Sequence, residues 1–246
     1  MSENMQLVSL SRQIALQRQM DVVANNMANI NTTGFKAEDV LFEEYVMPVA
    51  RDRDFPTNDQ PLSYTQDWAT VHDMSPGAMI QTGNPLDVAL QGPGFLVVET
   101  PAGERFSRSG AMVINAQGTL TDMNGNPVLG DGGPIQFDST DNDISIAADG
   151  SVLTSNGSKG RLRVVEFADP QTATREGDNL WAGADPVAAI NTRIIGGAIE
   201  RSNVSGVTEM AQMIRVSRAY QSLASIMQRQ DELRSNAIRR LGDMSA

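Results

Sequence analysis

The chain has 246 residues, and 30 acidic against 19 basic side chains give it a net charge of −11. A hydrophobic content of 40% is ordinary for a folded protein, while the acidic balance argues against a nucleic-acid partner and against adsorption to an anionic membrane surface. The sequence has no cysteine and one histidine, His72, so disulfides, thiolate chemistry and histidine-rich metal sites are excluded and no cofactor is expected.

Residues 1–35 are predicted to form a long helical segment. Hydrophobic residues recur at steps of three and four with one irregularity, which is typical of a helix that packs along a partner helix. A cluster of turn-forming residues that ends at Gly34 terminates the pattern. The predicted contact residues of this helix are Leu7, Leu10, Ile14, Met20, Val23, Met27 and Ile30.

Residues 36–80 are predicted to be an extended connector, because they contain four prolines and several charges. Within this segment Phe42 and Val46 are separated by four positions. Together with Leu41 and Tyr45, these two residues could also form a helical stripe with i,i+4 spacing.

Residues 81–204 are predicted to form a mainly antiparallel β domain, because short hydrophobic runs such as Phe95–Thr100 alternate with Gly, Pro, Asn and Asp turns. The segment Asp122–Asn126 has the alternating oxygen side chains of a calcium loop. Its glycine lies at the wrong position and no glutamate closes the loop, which favours a simple turn. An acidic β domain also presents carboxylate pairs, so a hydrolase with helical oligomerisation arms is an alternative class.

Residues 205–246 are predicted to form a second long helix with the same spacing of hydrophobic residues. Neither helix can bury its row of hydrophobic residues by itself. The simplest arrangement that buries both rows pairs the helices at the two chain ends. The expected fold is therefore α+β, with the N- and C-terminal helices paired as a coiled coil around a central β domain. Packing of each helix on the domain core is the alternative. The predicted contact residues of the second helix are Met213, Val216, Tyr220, Leu223 and Met227.

Four sequence blocks, in order along the chain, resemble the signatures of the bacterial flagellar rod and hook protein family. The family motif in the first block comprises Asn25, Asn26, Asn29, Gly34 and Phe35. Two further stretches, Val128–Ile135 and Ile144–Gly150, resemble the proximal-rod members of the family. The four blocks are Ala24–Lys36, Asn84–Phe95, Phe106–Gly110 followed by Gly118–Leu120, and Glu200–Val204 followed by Glu209–Tyr220.

The resemblance implies a structural subunit of the flagellar basal-body rod rather than an enzyme. In this family the paired terminal helices form the inner layer of a tubular assembly, and the β domain lies outside it. The implied partners are further copies of the chain, the neighbouring proximal and distal rod proteins and the flagellar type III export apparatus. Neither nucleic acid nor direct membrane insertion is expected. The distal rod subunit is the nearest alternative.

The resemblance also implies a route to the periplasm. The first thirty residues lack the basic region and the hydrophobic run of a secretory signal peptide. Family members instead leave unfolded through the flagellar export channel, which implies a location in the basal body. Phe42 and Val46 have the spacing of an export-gate signal in related substrates. The amides of Asn25, Asn26 and Asn29 are expected to serve the last carbonyls of the helix, with Phe35 as an anchor.

Overall fold

A computed structural model describes residues 2–46 and 63–243. Helix α1 spans Ser2–Ala28 and helix α2 spans Gly206–Asp243, and the strands lie between them in the chain. The expected α+β class, with terminal helices and a mainly antiparallel middle, is confirmed. Among the described residues, no helix is both long enough and apolar enough to cross a bilayer.

The described residues form two compact units that are each discontinuous in sequence. The first, here called the helical unit, takes its described residues from 2–27, 38–46, 63–71 and 206–243. The second, here called the β unit, comprises residues 28–37 and 72–205.

The helical unit contains a two-stranded sheet formed by β1 (Glu38–Val46) and β2 (Ser63–His72). The expected connector over 36–80 is therefore extended in these parts, and its strands pair with each other. The alternative of a helical stripe through Phe42 and Val46 is wrong, since both residues lie in β1. Three of the four prolines that predicted the connector lie outside the described residues.

The β unit is built from seventeen short strands. The bounds of its first nine are β3 Met79–Gln81, β4 Val88–Gln91, β5 Phe95–Thr100, β6 Gly103–Ser107, β7 Met112–Ile114, β8 Leu120–Asp122, β9 Leu129–Gly130, β10 Gly133–Pro134 and β11 Ser145–Ile146. The remaining strands are β12 Ser151–Thr154, β13 Gly157–Arg161, β14 Val164–Glu166, β15 Thr174–Arg175, β16 Leu180–Ala182, β17 Val187–Ala188, β18 Arg193–Gly196 and β19 Ala198–Glu200.

The largest sheet of the β unit has six strands in the order β15-β16-β6-β5-β14-β17. Its centre is the β5–β6 hairpin, whose antiparallel register runs from Leu96 opposite Ser107 to Thr100 opposite Gly103. Alternate residues of β5 point to opposite faces of the sheet. Leu96 and Val98 therefore join one buried hydrophobic cluster, and Phe95 and Val97 join another that also contains the fully buried Trp181.

Candidate functional site

The two terminal helices contact each other inside the helical unit. The Nε2 atom of Gln13 donates a hydrogen bond of 2.9 Å to the hydroxyl of Tyr220. Nearer the end of α1, Leu16 and Gln19 line one cavity together with Val216 and neighbouring residues of α2. Residue numbers rise along α1 while those of their partners fall along α2, so the helices run antiparallel.

The predicted contact residues of α1 fall into two groups. Val23 is buried and Met20 and Met27 are half-buried, whereas Leu10 and Ile14 remain 49% and 59% exposed. The face that α1 buries in this chain instead includes Ser9, Ala15 and Val22. Leu7 lies within α1. Ile30 follows the last residue of α1 by two positions, so its assignment to the helix is wrong.

The predicted contact residues of α2 all lie on that helix. Val216 is buried, and Met213, Leu223 and Met227 are half-buried. Tyr220 is more exposed and uses its hydroxyl to accept the bond from Gln13. A role of either helix face in contacts between subunits stays a prediction.

Asn26 has a different role from the expected capping of helix carbonyls. Its Nδ2 donates to the carbonyl oxygen of Glu38 at 2.8 Å, and its Oδ1 accepts from the backbone N–H of Glu38 at 2.9 Å. The amide thereby satisfies both backbone groups at the start of β1, as a neighbouring strand would. In the β unit, Asn29 accepts a hydrogen bond from the hydroxyl of Thr32 and closes the turn after α1. Asn25 is exposed.

Glu209, in the first turn of α2, is buried beside Asn26 and Asp39. Burial raises the pKa of the Glu209 carboxyl, and the charge of Asp39 adds to this, whereas the hydrogen bond from Asn26 opposes it. No described residue makes a hydrogen bond with the Oε2 atom of Glu209. The sequence pattern around Glu209 did not predict this burial.

In the β unit, Gly34 changes the direction of the chain near the end of the family motif. Its φ of +65° lies in the left-handed region, and its N–H donates to the carbonyl of Glu200 at 2.8 Å. A Cβ at this position would lie 2.4 Å from the backbone carbonyl carbon of Arg108. Only glycine therefore satisfies both the backbone conformation and the close approach.

Phe35 is buried, as expected of an anchor. The guanidinium of Arg175 lies 4.1 Å from the centre of its ring and 4.9 Å from that of Trp181, so the cation is held between two aromatic faces. Arg175 also donates a hydrogen bond to the carbonyl oxygen of Lys36.

His72, the one histidine, packs edge-on against Trp181 with ring centres 4.7 Å apart.

Lys36, Arg108 and Glu200 form a buried ion cluster in which each residue is at most 3% exposed. The Lys36 ammonium lies 2.6 Å from Oε1 of Glu200, and Nε of Arg108 lies 2.6 Å from Oε2. The backbone N–H of Gly77 donates a further bond to Oε1 at 2.8 Å. The remaining donors of the cations reach the carbonyl oxygens of Ser75, Leu90 and Gly94.

The electrostatics of this buried ion cluster follow from its burial. Burial lowers the pKa of the Lys36 ammonium, against the opposing effect of Glu200. Burial alone would raise the pKa of Glu200, but the charge of Arg108 and the bond and charge of Lys36 hold it below its ordinary value. Glu200 is therefore an ionised carboxylate between two cations.

The cluster joins segments that carry the four sequence blocks. Lys36 ends the first block, Gly94 belongs to the second, Arg108 to the third and Glu200 opens the fourth. Sequence reasoning found the blocks but did not predict that their charges meet. The fourth block also meets the chain directly after the first block, because the side-chain oxygen of Asn203 accepts a hydrogen bond from the N–H of Ala37 at 2.8 Å.

Asp122, in the calcium-like segment, and Asp141, in another loop of the β unit, are both engaged in turns. Both oxygens of Asp122 accept hydrogen bonds from the loop itself, from Asn124 and Asn126, which agrees with the predicted turn. The bond from Lys159 lowers the pKa of Asp141 to about 2. Within the described part of the chain, no three His, Cys, Asp or Glu residues are grouped to hold a metal ion.

Three family models match the chain along most of its length. The model described as flagella basal body rod protein matches residues 7–36. The flagellar hook protein FlgE/F/G D1 domain matches residues 89–154, and the flagellar basal body rod FlgEFG protein C-terminal model matches residues 195–240. These ranges include all three members of the buried ion cluster and most of both terminal helices.

Full-length relatives agree with the models. The flagellar basal-body rod protein FlgF of Caulobacter vibrioides is 36% identical, over 99% of this chain and 100% of its own. The FlgF protein of Mesorhizobium japonicum is 34% identical over 97% and 98% of the two chains, and the FlgG protein of Bacillus subtilis is 29% identical over 88% and 91%. The chain belongs to the family of flagellar basal-body rod proteins. Within this family it is similar along its whole length to the proteins named FlgF.

Proposed function

We propose that the chain is a structural subunit of the proximal part of the flagellar basal-body rod. The observation that carries this proposal is the near-complete coverage by relatives named FlgF, at 36% and 34% identity. Relatives named FlgG, at 27–30% identity, make the distal rod subunit the second candidate.

In the rod, α1 and α2 pair as a coiled coil and form the inner layer, with the β unit outside. The antiparallel contact through Gln13 and Tyr220 supports the pairing, and the exposed Leu10 and Ile14 supply hydrophobic surface for neighbouring subunits. The partners are further copies of the chain and the adjacent proximal and distal rod proteins.

The subunit reaches the periplasmic basal body through the flagellar type III export apparatus, with Phe42 and Val46 as part of the signal. Both residues lie in β1 of the folded chain, so the signal acts before folding. The absence of cysteine suits this route, because no disulfide can form or mispair in an oxidising compartment. Export of Phe42→Ala by a rodless strain, measured against its cellular level, tests this step.

The role in the rod is structural rather than catalytic. Carboxylates that a hydrolase would need, such as Asp122 and Asp141, are held by hydrogen bonds or ion pairs within turns. We expect Asp141→Asn to leave the length of assembled rods unchanged. A lost rod with normally folded protein would favour the hydrolase alternative.

Deletion of the gene followed by electron microscopy of purified basal bodies tests the position in the rod. The proposal predicts that the rod stops in its proximal part and that the wild-type gene restores it. A complete proximal rod that lacks only its distal part would favour the distal subunit. A complete rod would contradict both candidates.

A further inference from the structure

We propose that Asn203 is a positioning residue that fixes the register of the two-stranded sheet formed by β1 and β2. Its side-chain amide is inserted between the two chain segments at the base of this sheet, at Ala37 and Asp73. An error of one residue in the register would turn every side chain of a strand to the opposite face. The register therefore decides which residues β1 and β2 present on each face.

The amide replaces one backbone hydrogen bond between the two segments. Ala37 precedes the first residue of β1, and Asp73 follows the last residue of β2, so their pairing makes the strands antiparallel. The N–H of Asp73 donates directly to the carbonyl oxygen of Ala37 at 2.8 Å. A regular pair would exchange a second direct bond. Instead, Oδ1 of Asn203 accepts from the N–H of Ala37 at 2.8 Å, and Nδ2 donates to the carbonyl oxygen of Asp73 at 2.8 Å.

The β unit holds Asn203 in place. The backbone N–H of Asn203 donates to the carbonyl oxygen of Phe35 at 3.3 Å, and Nδ2 donates a further bond to the carbonyl oxygen of Ser75 at 3.2 Å. Three positions earlier in the chain, Glu200 is anchored in the buried ion cluster. All these residues belong to the β unit, so the folded β unit presents the amide as a fixed template to both segments.

The connection between β1 and β2 is too long to set their register by turn geometry. About sixteen residues separate Val46 from Ser63 in the sequence, whereas tight hairpin loops of two to about five residues fix the pairing of their strands. The amide of Asn26 binds both backbone groups of Glu38, but these two bonds hold one strand alone. The bonds of Asn203 reach the chain before β1 and the chain after β2, which is what a register contact requires.

The position of Asn203 in the sequence also indicates when the register is fixed. Asn203 follows Ala37 by 166 positions, and the chain between them includes nearly all of the β unit. The amide reaches its place only when the β unit has folded. We therefore expect β1 and β2 to take their final register after the β unit.

The absence of native cysteine allows the register to be measured by disulfide formation in the purified full-length chain. A regular continuation of the pair of Ala37 and Asp73 places position 41 opposite position 69. Leu41→Cys with Ala69→Cys therefore reports the native register. Leu41→Cys with Val71→Cys reports a slip of two residues, because a diagonal separation of about 7–8 Å in the native register is too long for a disulfide.

With Asn203 in place, we expect the 41/69 disulfide to form in much higher yield than the 41/71 disulfide. Asn203→Leu keeps the approximate size of the side chain but removes its hydrogen bonds, and should lower the ratio of the two yields roughly tenfold. Asn203→Asp should also lower the ratio, because an acceptor then faces the carbonyl oxygen of Asp73. The matched control is Asn156→Leu, whose amide also makes hydrogen bonds within the β unit. It should leave the ratio unchanged.

Hydrogen exchange of the backbone N–H groups of Val97 and Phe106, in the β5–β6 hairpin, shows whether each variant keeps the β unit folded. If Asn203→Leu loses this protection, Asn203→Asp decides the question, because it keeps the acceptor for the N–H of Ala37. A wild-type ratio in a folded Asn203 variant would overturn the proposal. So would a 41/71 yield that equals the 41/69 yield in the presence of Asn203.

The measurement is independent of the proposed rod function, because it uses the purified chain. A ratio that falls as expected, together with complete rods in basal bodies that lack the chain, would leave the role of Asn203 intact and contradict the rod function. An unchanged ratio, together with rods that stop in their proximal part, would contradict the role of Asn203 alone.

Discussion

At the scale of single residues, the buried ion cluster shows how a charge can be stable inside a protein. Glu200 receives bonds from Lys36, Arg108 and the backbone of Gly77, so its carboxylate loses little on leaving water. The cluster also links the two chain segments that make up the β unit, because Lys36 lies in residues 28–37 and both Arg108 and Glu200 lie in residues 72–205. Removing one partner leaves an uncompensated buried charge. This lowers the free energy of unfolding far more than replacing the whole cluster with well-packed hydrophobic residues would.

Glu200→Gln should lower the free energy of unfolding by about 3–5 kcal/mol, because both cations stay buried without their counter-ion. Chemical denaturation of the purified chain measures this. Glu99→Gln, on an exposed position of β5, is the matched control and should change stability by less than about 0.5 kcal/mol. Equal losses for the two variants would contradict this role of Glu200.

The stability of the wild-type chain should also depend on pH through Glu200. Its folded-state pKa lies below the ordinary value of 4.5, so the unfolded chain binds a proton first as the pH falls. The contribution is present above pH 4.5 and is lost as the pH falls through the lowered folded-state pKa. The free energy of unfolding, measured between pH 7 and 3, should therefore fall more steeply for the wild type than for Glu200→Gln. Parallel pH dependences would contradict this role of Glu200.

Gly34→Ala should lower the free energy of unfolding by more than the cost of a left-handed backbone conformation at an alanine. The new Cβ would meet the Arg108 backbone at 2.4 Å, in addition to about 1–2 kcal/mol for the left-handed conformation. Gly125→Ala is the control, because Gly125 has a φ of +88° and no atom within 4 Å of its Cβ position. If thermal melting shifts equally for both variants, the close approach to Arg108 does not matter.

At the scale of elements, the sequence predicted the two terminal helices and the mainly antiparallel middle of the chain. Phe95–Thr100 forms a strand with the bounds of the predicted run, because it is a hydrophobic stretch next to a turn. The hydrophobic run Ile194–Ile199 is divided between β18 and β19, since Gly197 has a positive φ. Two-residue strands such as β15 are defined by their pairing with another strand, here β16, and have no local sequence pattern of their own.

The exposed positions of α1 allow assembly to be separated from folding. Ile14→Asp should change the free energy of unfolding by less than about 0.5 kcal/mol, since the side chain is already largely in water, yet it should prevent incorporation into rods. Swimming assays and the yield of basal bodies measure incorporation. Gln17→Asp, on another exposed position of α1, should assemble normally. Full motility of Ile14→Asp would exclude this residue from the subunit contacts.

At the scale of the whole molecule, both compact units draw residues from distant parts of the chain. The family signatures could be found in the sequence, but the contact between Lys36, Arg108 and Glu200 could not be predicted from it. Three charges separated by up to 164 positions have no periodicity that indicates a contact. Their pairing depends on the complete topology of the β unit.

The most direct test of the rod account is the structure of the purified basal body by cryo-electron microscopy. The account predicts density for this chain in the proximal rod, with α1 and α2 running antiparallel along the inner wall and the β unit outside them. Proximal-rod density that cannot accommodate the chain, or helices placed on the outer surface, would contradict the account.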